Sequence, residues 1–142
     1  FLKCSLDNLV ITPHLGEFSK MLNIEKFFLL NNFIKIVNNF LKDFEGVAVI
    51  KHVPACVITG QKMSLNSTGN SGLATAGSGD VLSGVIASFI SQNMDTYDAC
   101  RLSSYFHGLA ADNQIKYKGI RGLIASDLPL EIAKVINEYE NL

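Results

Sequence analysis

A chain of 142 residues can bury the core of one globular domain, or part of one, and is short for two. Its 12 basic and 13 acidic residues are spread along the sequence for a net charge of -1, so no basic stripe is available for a phosphate backbone and nucleic acid is not an expected partner. Three cysteines, Cys4, Cys56 and Cys100, make an odd set without C-x-x-C spacing, which argues against a disulfide framework or a zinc site and for reduced thiols in the cytoplasm.

Asn8 to Thr12 reads as a short buried strand that Pro13 stops, and His14-Leu-Gly-Glu17 then opens a short helix to about Leu22. From Phe27 to Phe44 the apolar residues Phe27, Leu30, Phe33, Ile34, Val37, Phe40, Leu41 and Phe44 recur at three and four. Asn31, Asn32, Lys35, Asn38, Asn39 and Lys42 fill the other side. This spacing predicts one helix packed on a sheet, with its aromatics in the core. Gly46 ends it, and Val47 to Ile50 is a strand that runs into Lys51. Cys56 to Thr59 and Lys62 to Leu65 flank Gly60-Gln61, a pair suited to a type II′ turn, and so predict an antiparallel hairpin.

Val81, Leu82, Val85, Ile86, Phe89 and Ile90 mark one face of the next helix, with small residues between them. Asp95 can cap a helix to about Lys116, Gly119 to Gly122 reads as a mobile loop, and Ser126 or Asp127 can cap a last helix to about Tyr139. Strands alternating with long helices predict an α/β layered fold with a mostly parallel sheet and flanking helices. In such folds ligands gather at the carboxyl ends of strands, where His14, Lys51 and a glycine-rich loop fall. No apolar run approaches the roughly 20 residues that span a bilayer, and no signal peptide is evident, so no membrane association is expected. The chain starts at Phe1 and leads straight into a strand, and 48% of its residues are hydrophobic. Both features suit a piece of a larger domain.

Five of the eleven glycines fall between Gly69 and Gly84, in a run that passes directly into the Val81 helix. Small residues let the backbone approach a ligand, and the first amides of a helix have no partners within it, so the run suits an anion such as a phosphate. Gly77-Ser78-Gly79-Asp80 is not a P-loop, because no Gly-Lys-Ser/Thr follows. It also fails the dinucleotide fingerprint, because Leu82 stands where the third glycine belongs. The plainer alternative is a turn before a helix in which Asp80 only favours the helix dipole, by about 0.3 to 1 kcal/mol. A carboxylate beside bound phosphate can instead take a proton from a substrate hydroxyl.

Thr12-Pro13-His14-Leu-Gly16-Glu17, Ile50-Lys51, the segment Gly69 to Gly84, His107-Gly108-Leu-Ala110-Ala-Asp112 and Ala125-Ser126-Asp127 occur in an order that resembles the ADP/ATP-dependent NAD(P)H-hydrate dehydratases of the ribokinase-like superfamily. Residues 1–142 resemble the carboxyl-terminal part of a single such domain. The resemblance implies repair of hydrated nicotinamide cofactors: ADP or ATP phosphorylates the hydroxyl of NADHX or NADPHX, and loss of phosphate restores NADH or NADPH. It implies Asp80 as general base and substrate contact, and His14 as a substrate contact. Lys51, His52, Val53, Pro54 and Ala55, together with Gly77, Ser78 and Gly79, would border the nucleotide. Where this chain has Lys51-His52 the family usually has Lys-Gly. Magnesium would be held mainly through phosphates and water, because the sequence has no carboxylate cluster for a dedicated cage. A homo-oligomer, often a tetramer, and fusion to an NAD(P)H-hydrate epimerase domain are further implications.

Each motif also has a structural alternative. Lys51 can be an ordinary lysine snorkelling from a strand end, His14 a capping histidine, and Glu17 a first-turn carboxylate. His107 and Asp112 are read as helix-packing residues. Two other functions remain open: a small-molecule kinase of the same superfamily, acting on a sugar or vitamin precursor, and a nucleotide-binding module without turnover. His14 and Asp80 favour the dehydratase, since vitamin-precursor kinases tend to carry asparagine and cysteine at these positions.

Overall fold

Pro13 ends the first strand as its fixed ring geometry dictates, leaving β1 (Val10–Ile11) two residues long. The computed structural model describes residues 9–60 and 62–141, and the chain divides into two units, Phe1–Leu65 and Asn66–Leu142.

In the first unit β1 is followed by helices α1 (Leu15–Met21), α2 (Lys26–Asn31) and α3 (Phe33–Phe40), then by strands β2 (Val47–Ile50), β3 (Cys56–Thr59) and β4 (Lys62–Leu65). Their sheet has the order β1-β2-β3-β4. The parallel pair is β1 with β2, matching Val10 to Val47 and Ile11 to Ala48. β2 with β3 and β3 with β4 are antiparallel. The mostly parallel sheet expected from the sequence is therefore corrected to a four-stranded, mostly antiparallel sheet with flanking helices. Connection length is the reason. The three helices span the crossover that a parallel pair requires, whereas residues 51–55 and 60–61 can only turn the chain back. Gly60 takes φ +47°, as a primed hairpin turn demands of its first central residue, and Gln61 lies outside the described residues.

All four residues of β2 are buried, as expected for a continuous apolar run. Phe18, Leu29 and Val37 from the helices pack with Ala48, Ile50, Cys56 and Ile58, and Phe40 meets Phe18 edge-on at 5.2 Å. Burial pushes the Cys56 thiol up to about 11. The single helix expected over 27–44 is broken at Asn32 (φ −124°, ψ 23°), whose side-chain nitrogen donates to Phe28 O at 3.0 Å. Such local bonds compete with the helix ladder. The break turns Phe27, Leu30 and Ile34 outward, leaving Phe27 71% exposed and not in the core.

The second unit holds α4 (Ser78–Ser91), α5 (Thr96–Lys118) and α6 (Leu128–Glu140), with short 3-10 turns at Ser71–Leu73, Ile120–Gly122 and Ala125–Asp127. Asp95 caps α5, accepting from Tyr97 N and Asp98 N at 3.0 and 3.1 Å. Phe106, Ala110 and Ala111 of α5 pack on Leu123, Leu128, Ile132 and Val135, with Val81, Val85 and Phe89 of α4 against them. Full burial of side chains such as Leu128 and Val135 contributes about 1.5 to 3 kcal/mol each. Asp127 precedes α6 without capping it; its carboxylate accepts from Ile124 N and Lys118 Nζ at 3.1 and 2.6 Å. Among the described residues no helix is long and apolar enough to cross a membrane.

Candidate functional site

Two groups of predicted site residues lie in the first unit, at the carboxyl ends of its parallel strands. His14 and Lys51 form a parallel bridge beyond β1 and β2, and Lys51 N donates to Pro13 O at 2.8 Å. The structure thus brings these two side by side. His14 caps α1: its Nδ1 accepts from Glu17 N at 3.0 Å, while Glu17 Oε2 accepts from His14 N at 2.7 Å. This reciprocal arrangement satisfies two donors that the helix start leaves open. With Nδ1 accepting, the neutral ring carries its proton on Nε2, which lies 3.4 Å from Glu17 Oε1 on a side chain 60% exposed. Capping and ligand contact are therefore compatible, since Nδ1 serves the cap while Nε2 sits beside Glu17 Oε1 on an exposed side chain. His52, Val53 and Pro54 are exposed, while Lys51 and Ala55 are half-buried.

In the second unit the glycine run forms a tight turn into α4. Gly77 has φ +86°, a left-handed conformation that glycine adopts without steric cost, and it is the residue before the first helical position. Ser78 turns inward: it is buried, its Oγ donates to Leu73 O at 2.6 Å and its N–H donates to Thr75 O at 3.3 Å. The amides of Gly77 and Gly79, in contrast, have no acceptor among the described residues. Asp80 stands in the first turn of α4, exposed; its N–H donates to Gly77 O at 3.1 Å, and its carboxylate has no hydrogen bond or ion pair among the described residues. Two free amides and a free carboxylate on one helical turn can hold an anion and accept a proton beside it.

α5 holds this loop in place. Asp112 accepts from Gly69 N through Oδ2 and from Asn70 Nδ2 through Oδ1, both at 2.8 Å. Thr68 Oγ1 donates to Tyr105 O at 2.7 Å, and Asn66 Nδ2 donates to Ser104 O at 3.0 Å. Gly108 has no side chain where Thr68 crosses: a Cβ there would lie 2.6 Å from the Thr68 carbonyl carbon. His107 is buried, with Nε2 3.0 Å from Ser78 O. His107 and Asp112, read from sequence as packing residues, are loop anchors. The available signal was the set of polar residues Ser103, Ser104, His107 and Asp112 on one helix beside the small residues Ala99, Cys100, Gly108, Ala110 and Ala111.

Among the described residues no three His, Cys, Asp or Glu side chains are gathered to hold a metal ion. A groove in the first unit, lined by Leu9, Ile11, Phe28, Ile34, Phe40 and Phe44 among others, contains none of the predicted site residues.

The family profile described as NAD(P)H-hydrate dehydratase matches residues 4–135. The chain is 35% identical over 122 residues to a bifunctional NAD(P)H-hydrate repair enzyme of Moorella thermoacetica, covering 84% of this chain and 23% of that protein. It is 33% identical over 123 residues to an ADP-dependent (S)-NAD(P)H-hydrate dehydratase of Neisseria meningitidis, covering 85% of this chain and 42% of that one. The ADP/ATP-dependent NAD(P)H-hydrate dehydratase of Bacillus subtilis, co-crystallised with ATP/Mg2+, superposes with a TM-score of 0.87 at 26% identity, over 93% of this chain and 48% of that one. The chain thus spans about a quarter to a half of these relatives, and the fold it shares is ribokinase-like. With the profile match covering nearly its whole length, the chain belongs to the NAD(P)H-hydrate dehydratase family.

Proposed function

We propose that this chain is the carboxyl-terminal part of a single dehydratase domain that restores NADH or NADPH from NADHX or NADPHX with ADP or ATP. The observation that carries this proposal is the turn at Gly77, where the free amides of Gly77 and Gly79 stand on the same helical turn as the free carboxylate of Asp80. The two amides stabilise negative charge on the phosphoryl group in transfer, and Asp80 takes the proton from the substrate hydroxyl as its oxygen attacks phosphorus. The hydroxyl becomes a phosphate ester, a far better leaving group. Its departure, with loss of a ring proton, restores the dihydronicotinamide.

Lys51, His52, Val53, Pro54 and Ala55 border the nucleotide in this proposal, with Ser78 completing the turn, and the exposed His14 ring meets the hydrated nicotinamide. Magnesium would come with the nucleotide, held mainly through its phosphates and water. The Bacillus subtilis relative co-crystallised with ATP/Mg2+ supports the nucleotide assignment. We also propose a homo-oligomer, such as a tetramer, in the cytoplasm. The bifunctional relatives support a second, epimerase activity in the full-length product.

The test is Asp80→Asn in the full-length gene product, which keeps the shape and removes the base. Turnover is expected to fall by about 10² to 10⁴ while nucleotide affinity, read by calorimetry, stays within about twofold. Unchanged turnover refutes the role of Asp80.

A further inference from the structure

We infer that His107 is a positioning residue for the phosphoryl-transfer step, acting through the peptide group between Ser78 and Gly79; this rests on the function proposed above. A carbonyl oxygen can only accept, so the 3.0 Å contact between His107 Nε2 and Ser78 O requires Nε2 to carry the hydrogen. Ser78 O and the Gly79 N–H belong to one planar peptide unit, so a donor on the oxygen draws electron density through the amide and makes the N–H a stronger donor. Gly79 N–H is one of the two free amides at the turn.

Burial sharpens the effect. His107 is 6% exposed and Ser78 7%, so the bond lies where water screens it little. The first turn of α4 fixes the orientation of this peptide, and the Ser78 Oγ bond to Leu73 O and the Asp112 bonds to Gly69 and Asn70 hold the rest of the loop, which leaves His107 as the side chain that polarises it. Because charge on the phosphoryl oxygens grows toward the transition state, a polarised amide acts more on kcat than on nucleotide binding.

The experiment compares three variants of the full-length gene product. His107→Gln places an amide nitrogen near the position of Nε2, His107→Leu keeps bulk without a donor, and His107→Asn is polar but too short to reach Ser78. The Leu and Asn variants are expected to lose about tenfold in kcat, with KM for the nucleotide changed less than about twofold, and the Gln variant to recover to within about threefold. The Gly79 amide proton resonance should move upfield in the Leu and Asn variants and stay in place in the Gln variant. A purely packing role predicts lower melting temperatures with kcat unchanged; that result, or a Gln variant as slow as the Leu variant, overturns the inference.

Asp80→Asn measured alongside separates the two claims. An inactive Asp80→Asn with undiminished His107→Leu refutes only the positioning role. An active Asp80→Asn refutes the base role of Asp80, absence of nucleotide-dependent turnover in the parent refutes the proposed function, and in either case the Gly79 resonance still decides whether His107 polarises the peptide.

Discussion

Two helical glycines should respond in opposite directions to the same added methyl group. In Gly108→Ala the new Cβ would sit 2.6 Å from the Thr68 carbonyl carbon and 2.7 Å from its oxygen, distances that backbone atoms do not tolerate. Moving the Thr68 segment away costs about 1 to 3 kcal/mol of overpacking strain. It also weakens the Thr68 bond to Tyr105 O and the Asn66 bond to Ser104 O, each contributing about 1 kcal/mol. Alanine returns about 1 kcal/mol in helix propensity. The net expectation is a loss of about 2 to 4 kcal/mol. Gly84 in α4 has nothing within 4 Å of the corresponding position, so Gly84→Ala should show the propensity gain alone, up to about 1 kcal/mol. Urea unfolding followed by circular dichroism reads both. A Gly108→Ala midpoint at or above that of the parent would show that Thr68 does not cross α5 at Gly108.

Asp112→Ala removes the two bonds that fix Gly69 and Asn70, and a loss of about 2 kcal/mol is expected together with faster hydrogen exchange over residues 69–73; unchanged exchange there would contradict the anchoring role. The Lys118 ammonium, and then the Ile124 amide, hold the Asp127 carboxyl below its ordinary range. A depressed folded-state pKa gives stability that is fully present above the unfolded value near about 4 and is lost as pH falls through the folded value. Asp127→Asn should therefore be less stable than the parent at neutral pH, with the difference closing in acid, as thermal melts across that range would show.

Local chemistry was legible where it depends on residues near in sequence. Pro13 ended β1, Asp95 capped α5, and Gly60 turned the β3–β4 hairpin, because each acts within a few residues of itself. The β3–β4 pairing was legible as an antiparallel hairpin, but the sheet direction misled because helix and strand alternation over residues 10–50 was taken for the sheet as a whole, while residues 51–55 are too few for anything but an antiparallel return from β2 to β3. The break at Asn32 was hidden because the three-and-four spacing continues through it, while the competing side-chain bond to Phe28 leaves no mark in the pattern. For the site, the glycine run and Asp80 stood out by composition. The part played by α5 did not, because Asp112 bonds Gly69 and Asn70 from more than forty residues away, and His107 reaches Ser78 from twenty-nine. Such pairings are set by how α5 lies beside the loop.

The most direct test of the account follows the absorbance of reduced nicotinamide when the full-length gene product meets NADHX, magnesium and ADP or ATP, beside a matched sample lacking nucleotide. Recovery of NADH that depends on nucleotide and is lost in Asp80→Asn is expected. Absence of recovery in the folded, nucleotide-binding protein would contradict it.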